Sequence, residues 1–269
     1  MPSLEAAFFD LDKTIIARSG SLALSRSFFR EGLIARSTLM KSMYAQFMFM
    51  LLGADEAKME RMRAAAAKLT EGWEREKVQR VVEEVLEEVI SPLIYAEALE
   101  LMHDHRQAGR LICIVSSSPA EIVEPLARML RVDRCIATTS VVVDGRYTGE
   151  LEFYAYGPNK AAAIERLAAE LDVDLGGSFA YSDSITDLPM LEAVGNPVAV
   201  NPDRELRRIA QRRGWTVETF RNPVSLRSRL PHLRAPQPTV GNGAAAAAAL
   251  SALVGVAWWL NRRTANRDA

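Results

Sequence analysis

The chain has 269 residues, about half of them apolar (49%) and a quarter charged (25%), ordinary values for a globular protein long enough to bury a core without covalent staples. A formal net charge of −1 gives no basic stripe of the kind nucleic-acid binding needs, so no nucleic-acid partner is expected. Two cysteines, Cys113 and Cys135, lie in segments that read as buried strands, which predicts core residues rather than a disulfide or metal pair. His103, His105 and His232 are too scattered for a metal cluster, and the first two point to different faces of a predicted helix.

Residues 4–9 form a short apolar run that stops abruptly at Asp10-Leu11-Asp12-Lys13-Thr14, the pattern of a buried strand whose carboxyl end presents polar groups. From residue 19 to 90 the pattern is helical with no strand signal, and Val78, Val81, Val82, Val85, Leu86 and Val89 share one stripe. Ser91-Pro92 predicts the start of a helix running to residue 108, and 111–115 a buried strand. Ser118-Pro119-Ala120-Glu121 has the form of a capping box with proline at the first helical position. Residues 141–143, the turn Asp144-Gly145 and Tyr147 onward predict a β-hairpin. Asn159-Lys160 leads into a helix over 161–171; residues 179–181 are a strand that breaks into Ser182-Asp183-Ser184-Ile185-Thr186-Asp187; 197–200 and 215–219 are short strands.

Strands alternating with helices predict an α/β domain, a mainly parallel sheet with helices on both faces. Its core would comprise residues 1–16 and 91–220. The helical stretch 17–90, inserted after the first strand, would be a cap over the carboxyl edge of the sheet, where such sheets bind ligands. Residues 221–243, rich in Pro, Arg and Ser, read as a linker.

Four motifs fall at predicted strand ends or helix starts. A carboxylate at Asp10 can attack phosphorus and form an acyl phosphate, and Asp12, two residues on, can protonate the leaving oxygen and later activate water. Ser116, with Ser117 beside it and the N–H groups of the following turn, can hold a phosphate oxygen, although three serines before a proline also suit a plain helix cap. Lys160 can neutralise charge between nucleophile and phosphate. Asp183 and Asp187, four residues apart after a strand, would join Asp10 in an oxygen-rich site suited to Mg²⁺, which offsets repulsion between carboxylate and phosphate. Any one motif is weak; their order along one sheet edge is not.

That order resembles the haloacid dehalogenase (HAD) superfamily of phosphohydrolases over residues 4 to 220, in the branch similar to phosphoserine phosphatase. Lys13, Tyr181-Ser182-Asp183-Ser184-Ile185-Thr186-Asp187 and the stretch from Gly195 to Asp203 are similar to the bacterial HAD-IB subgroup. The resemblance implies a Rossmann-like fold and a phosphomonoesterase acting on a small phosphorylated substrate. By motif match Asp10 would be nucleophile, Asp12 general acid and base, and Ser116, Ser117 and Lys160 the phosphate binders. Asp183 would ligate Mg²⁺ with the Asp10 carboxylate and the Asp12 carbonyl, Asp187 supporting the metal or its waters. One departure bears on substrate: phosphoserine phosphatases carry a glutamate nine residues after the nucleophile, and Ser19 stands there. Arg18, Arg26 and Arg30 lie nearby, either as exposed cap residues or as contacts for an anionic substrate. A protein of this fold without catalysis is the rival reading.

The stretch 39–52, rich in Met and Phe, would pack the cap's own core or form an apolar lip. Residues 240–260 carry no charge. As a helix, 244–260 would extend only about 26 Å, short of the ~20 apolar residues a bilayer core needs. With 240–243 included, Trp258 and Trp259 near one end and Arg262-Arg263 beyond, it is a candidate transmembrane helix. No signal peptide opens the chain, so the catalytic part is expected in the cytoplasm, tethered to a bacterial inner membrane, with lipid phosphates among its candidate substrates.

Overall fold

The computed structural model describes residues 3–17, 19 and 67–224. Strand β1 (Ala6–Phe9) runs up the middle of a seven-stranded sheet of order β5-β4-β3-β1-β6-β7-β8. Its neighbours are β3 (Leu111–Pro119) and β6 (Phe179–Ser182), both parallel to it. Beyond β3 lies parallel β4 (Arg134–Val143), then antiparallel β5 (Arg146–Phe153); beyond β6 lie parallel β7 (Asn196–Val200) and β8 (Thr216–Glu218). The chain leaves β1 toward β3 and later returns to β6 on the other side. The crevice over the end of β1 is therefore the topological switch point, where such sheets take their ligands.

All four residues of β1 are fully buried, and their alternation divides the core. Ala7 and Phe9 join Ile112, Ile114, Tyr181, Val198 and Val200 on one face. Ala6 and Phe8 join Cys113, Val115, Ala180 and Ala199 on the other. Helices α2 (Ala96–Gln107) and α3 (Ala120–Leu130) cover the first face through Met102 and Val123, and α1 (Arg75–Val85) packs on α3 and joins the same core through Val78 and Val82. Helices α4 (Pro158–Leu171), α5 (Leu188–Glu192) and α6 (Arg204–Arg213) cover the second through Ile164, Met190, Leu191, Leu206 and Ala210. The sheet is thus apolar on both sides, as its near-continuous hydrophobic strands require.

The hairpin over Asp144-Gly145 is present, with both residues at positive φ (50° and 74°) as a tight turn that matches strand twist requires. The outer edge of β5 is not left open. Gly72 N donates to Tyr147 O, Tyr147 N to Trp73 O and Arg75 N to Gly145 O, which blunts an otherwise exposed strand edge.

Two sequence expectations need correction. Ser91-Pro92 does not open the long helix. It forms a 3₁₀ turn (Ser91–Leu93), followed by a two-residue strand β2 (Ile94–Tyr95) paired with β9 (Pro223–Val224), and α2 begins only at Ala96. The competing partner was distant in sequence and hence invisible to local pattern. The capping box at Ser118 is also absent: β3 runs on to Pro119, and no side chain caps α3. Cys113 is buried and Cys135 half-buried, both as free thiols; His105 is buried and His103 exposed. Among the described residues no helix is long and apolar enough to cross a membrane. Arg18, Arg26, Arg30, His232, the stretch 39–52 and the span 240–260 lie outside the described residues.

Candidate active site

Asp10 follows β1 directly, and its backbone N–H donates to the carbonyl of Tyr181 on β6 (2.9 Å), which pins it at the switch point. The chain then turns sharply: the N–H groups of Thr14, Ile15 and Ile16 all donate to the carbonyl of Leu11. Lys13 takes a left-handed conformation (φ 62°) at this turn, a cost a non-glycine residue bears where surrounding structure demands it.

Lys160, at the start of α4 and 2% exposed, donates through Nζ to Asp10 Oδ1 (2.6 Å) and to Asp187 Oδ2 (2.7 Å). Gly157, one residue before α4, makes this placement possible. Its φ of 54° and ψ of −127° suit glycine alone, and its Cα side lies against the carbonyl of Thr186, 3.8 Å from where a β-carbon would stand. The same Asp187 oxygen accepts from Ser182 Oγ (2.7 Å). Asp10, Lys160 and Asp187 therefore meet in one buried cluster assembled from β1, α4 and the 3₁₀ turn Ile185–Asp187.

Asp183 ends the crevice on the β6 side, with Lys13 Nζ 3.6 Å from its Oδ2. Asp203, which caps α6 by accepting from Glu205 N and Leu206 N, also accepts from Ile185 N (2.8 Å) and donates its own N–H to Asp183 O (2.8 Å). One side chain thus ties the loop bearing Asp183 and Asp187 to the start of a helix. On the β3 side, Ser116 is buried and its Oγ accepts from Ser118 N (3.1 Å). Ser117 is half-buried, and its carbonyl accepts from Thr138 Oγ1 (2.8 Å), which in turn accepts from Ala155 N (3.3 Å). Ser118 Oγ donates to Asp12 Oδ2 at 2.9 Å.

Electrostatically the crevice holds more acid than base. Burial pushes the Asp10 carboxyl well above the usual carboxylate range; Lys160 opposes this, while Asp187, Asp12 and Asp183 add to it. Burial likewise raises Asp183 to about 6, with Lys13 opposing and Asp187 and Asp203 adding. Burial alone would lower Lys160, but Asp10 and Asp187 outweigh it and hold the ammonium above its ordinary value, hence charged. A divalent cation would relieve the acid excess. Among the described residues no cage of three or more His, Cys, Asp or Glu side chains exists. Mg²⁺ does not need one, since it keeps several waters and binds through one or two carboxylates. The oxygen-only donor set of Asp10 and Asp183 fits that ion.

The structure brings Asp10, Lys160 and Asp187 into direct contact, and sets Asp12, Ser116 and Asp183 around them through Ser118, Lys13 and Asp203. Ser117 faces the hairpin through its backbone. Three supporting residues carry no local sequence signal of their role: Ser118 stands where a helix cap belongs, Ser182 lies inside the motif 181–187, and Asp203 ends the family-like stretch that starts at Gly195.

A family model described as haloacid dehalogenase-like hydrolase matches residues 7–192. The chain is 51% identical over 97% of its length to an "Inhibition of morphological differentiation protein" of Streptomyces azureus, covering 95% of that protein. It is also 51% identical over 93% of its length to a probable phosphatase of Mycobacterium tuberculosis, covering 84% of it. Among solved structures, a protein of unknown function from Bordetella pertussis superposes with a TM-score of 0.72 at 29% identity, over 80% of this chain and 98% of that one. A phosphoserine phosphatase captured as a phospho-aspartyl intermediate analogue shares the fold with a TM-score of 0.61 at 18% identity, over 86% of this chain and 100% of its own. On the family model and these relatives, the chain belongs to the haloacid dehalogenase-like hydrolase family, in its phosphatase branch.

Proposed function

We propose that the chain is a Mg²⁺-dependent phosphomonoesterase that works through an aspartyl-phosphate on Asp10. The observation that carries this reading is the buried Asp10–Lys160–Asp187 cluster at the carboxyl end of β1. A carboxylate that is 6% exposed, with one oxygen held by an ammonium, is a fixed nucleophile whose other oxygen stays available for attack. Asp12 protonates the leaving alkoxide as the P–O bond breaks, then takes a proton from the water that hydrolyses the acyl phosphate. Ser116 donates its hydroxyl proton to a phosphate oxygen, while one of its two lone pairs accepts from Ser118 N. Ser117 adds its N–H, and Lys160 offsets the charge of nucleophile and phosphate. Phosphatases of this family generally use Mg²⁺. Here Asp10, Asp183 and the Asp12 carbonyl would hold it, with Asp187 supporting from behind Lys160, and when bound it supplies charge neutralisation at the phosphoryl group.

The substrate is a small phosphomonoester. Ser19, in place of the glutamate that phosphoserine phosphatases present to the substrate amine, argues against phosphoserine. The uncharged stretch 240–260 is the feature that favours a lipid phosphate and a membrane tether, and lipid phosphates belong in the same test. Phosphate release is measured from a panel of soluble and lipid phosphomonoesters, with Mg²⁺ and with EDTA, for the full chain and Asp10→Asn. Release that needs Mg²⁺ and vanishes in a folded Asp10→Asn protein is the expected result. Full activity in that variant removes the nucleophile assignment, and silence of every form across the panel favours a non-catalytic regulatory protein of the same fold.

A further inference from the structure

We propose that Ser118 is a positioning residue for the acid–base carboxylate Asp12, an inference that rests on the roles given above to Asp10 and Asp12. Ser118 is 4% exposed, and its hydroxyl donates to Asp12 Oδ2 at 2.9 Å. Sequence places this serine where a helix cap belongs, just before Pro119 and the first turn of α3. The structure spends the hydroxyl elsewhere: α3 starts without a side-chain cap. A local preference overridden in this way, at the edge where the site lies, marks a functional demand.

The hydrogen bond has a defined consequence. The terminal torsion of an aspartate is broad and only weakly restrained by itself. A donor on Oδ2 restrains the plane of the carboxylate and so the direction in which Asp12 presents itself to the leaving oxygen. In the first step the Asp12 proton passes to the leaving oxygen as its bond to phosphorus breaks. In the second, a proton of water returns to Asp12 as the water oxygen bonds phosphorus and the bond from phosphorus to Asp10 breaks. Ser118 keeps its own proton throughout. Its backbone N–H, donated to Ser116 Oγ, occupies one lone pair of that hydroxyl and leaves its proton to be donated. One residue thus orients the acid–base group and engages the phosphate-binding hydroxyl.

The test compares two phosphomonoesters that share a ring and differ in leaving group. Benzyl phosphate expels an alkoxide that must be protonated; 4-nitrophenyl phosphate expels a stable phenolate that need not be. In the full chain, Ser118→Ala is expected to lower kcat/KM for benzyl phosphate roughly 30-fold, a fraction of the ~100-fold or more that a general acid supplies. It should leave kcat/KM for 4-nitrophenyl phosphate within about threefold. Ser118→Thr, which keeps the hydroxyl, restores benzyl phosphate turnover. Ser118→Gly removes the hydroxyl while tolerating the same backbone, and gives the result if the alanine variant unfolds early. Equal loss on both substrates, or no loss on either, overturns the role. Asp10→Asn run in parallel separates the two levels. If it is inactive while Ser118→Ala shows no discrimination, Ser118 alone is misassigned; if it stays active, the parent reading falls.

Discussion

Replacing Lys160 by methionine would leave two carboxylates facing each other in a site with almost no solvent. The magnitude follows from the geometry. Two charge-assisted hydrogen bonds, at 2.6 and 2.7 Å, are each worth about 1.5–3 kcal/mol, and breaking a buried pair by removing one partner costs about 3–5 kcal/mol. In a chain of this size that corresponds to a fall in melting temperature of about 10 °C. The cost should depend on pH with a definite sign. Burial already pushes Asp10 above the usual carboxylate range, and Lys160 is what opposes the rise; without it the folded-state pKa climbs further. A raised carboxyl binds its proton in the folded state before the unfolded one does, so acid relieves the variant. Urea unfolding of wild type and Lys160→Met at pH 8 and pH 5 measures this. The expected deficit is about 3–5 kcal/mol at pH 8 and distinctly smaller at pH 5. Asp187→Asn in the Lys160→Met background should recover part of it, because one uncompensated charge is gone. A deficit below about 1 kcal/mol, equal at both pH values, would refute the picture of a buried cluster held by this cation.

Three further outcomes follow from the structure. His105 is buried, accepts or donates through Nε2 to Tyr181 Oη at 2.7 Å, and burial, with Arg110 adding, lowers its pKa to about 4. The unfolded chain therefore takes up a proton first as pH falls below about 6.5. His105→Gln should flatten a loss of stability between pH 6.5 and 4 that reaches at most about 3 kcal/mol, read as the difference between the two chains' pH-dependent unfolding curves. Gly195→Ala should abolish soluble expression or unfold the domain early, because a β-carbon there would stand 1.8 Å from the carbonyl oxygen of Gly176, a backbone atom that cannot swing away; a normal melting curve would contradict it. Asp203→Ala should lower stability by about 1–2 kcal/mol for the lost helix cap. It should also reduce turnover, since it releases Ile185 N from the loop that carries Asp183; a cap-sized stability loss with unchanged kcat would separate the two effects.

Much of the fold was legible because its signals are local. The apolar run ending at Asp10, the turn residues Asp144-Gly145 and the strand that breaks at Ser182 are period and punctuation, and each became the expected element. The false helix start at Ser91 and the false cap at Ser118 failed for one reason: in each case a partner far along the chain outbid a local preference. β9 claimed the segment after Ser91, and Asp12 claimed the Ser118 hydroxyl.

By itself, then, the sequence determined the order of chemistry along the chain: an acid pair, a serine, a lysine and a second acid pair, each beside a strand or helix terminus. Tertiary structure decided which of these groups touch. Lys160 is 150 residues from Asp10, and only the passage of the chain through β1, β6 and α4 brings its ammonium between Asp10 and Asp187. Likewise only the close approach of β3 to the turn after β1 shows that Ser118 serves Asp12 rather than the helix it precedes. Residue type and local spacing fix what a side chain can do; strand order and burial fix to whom it does it.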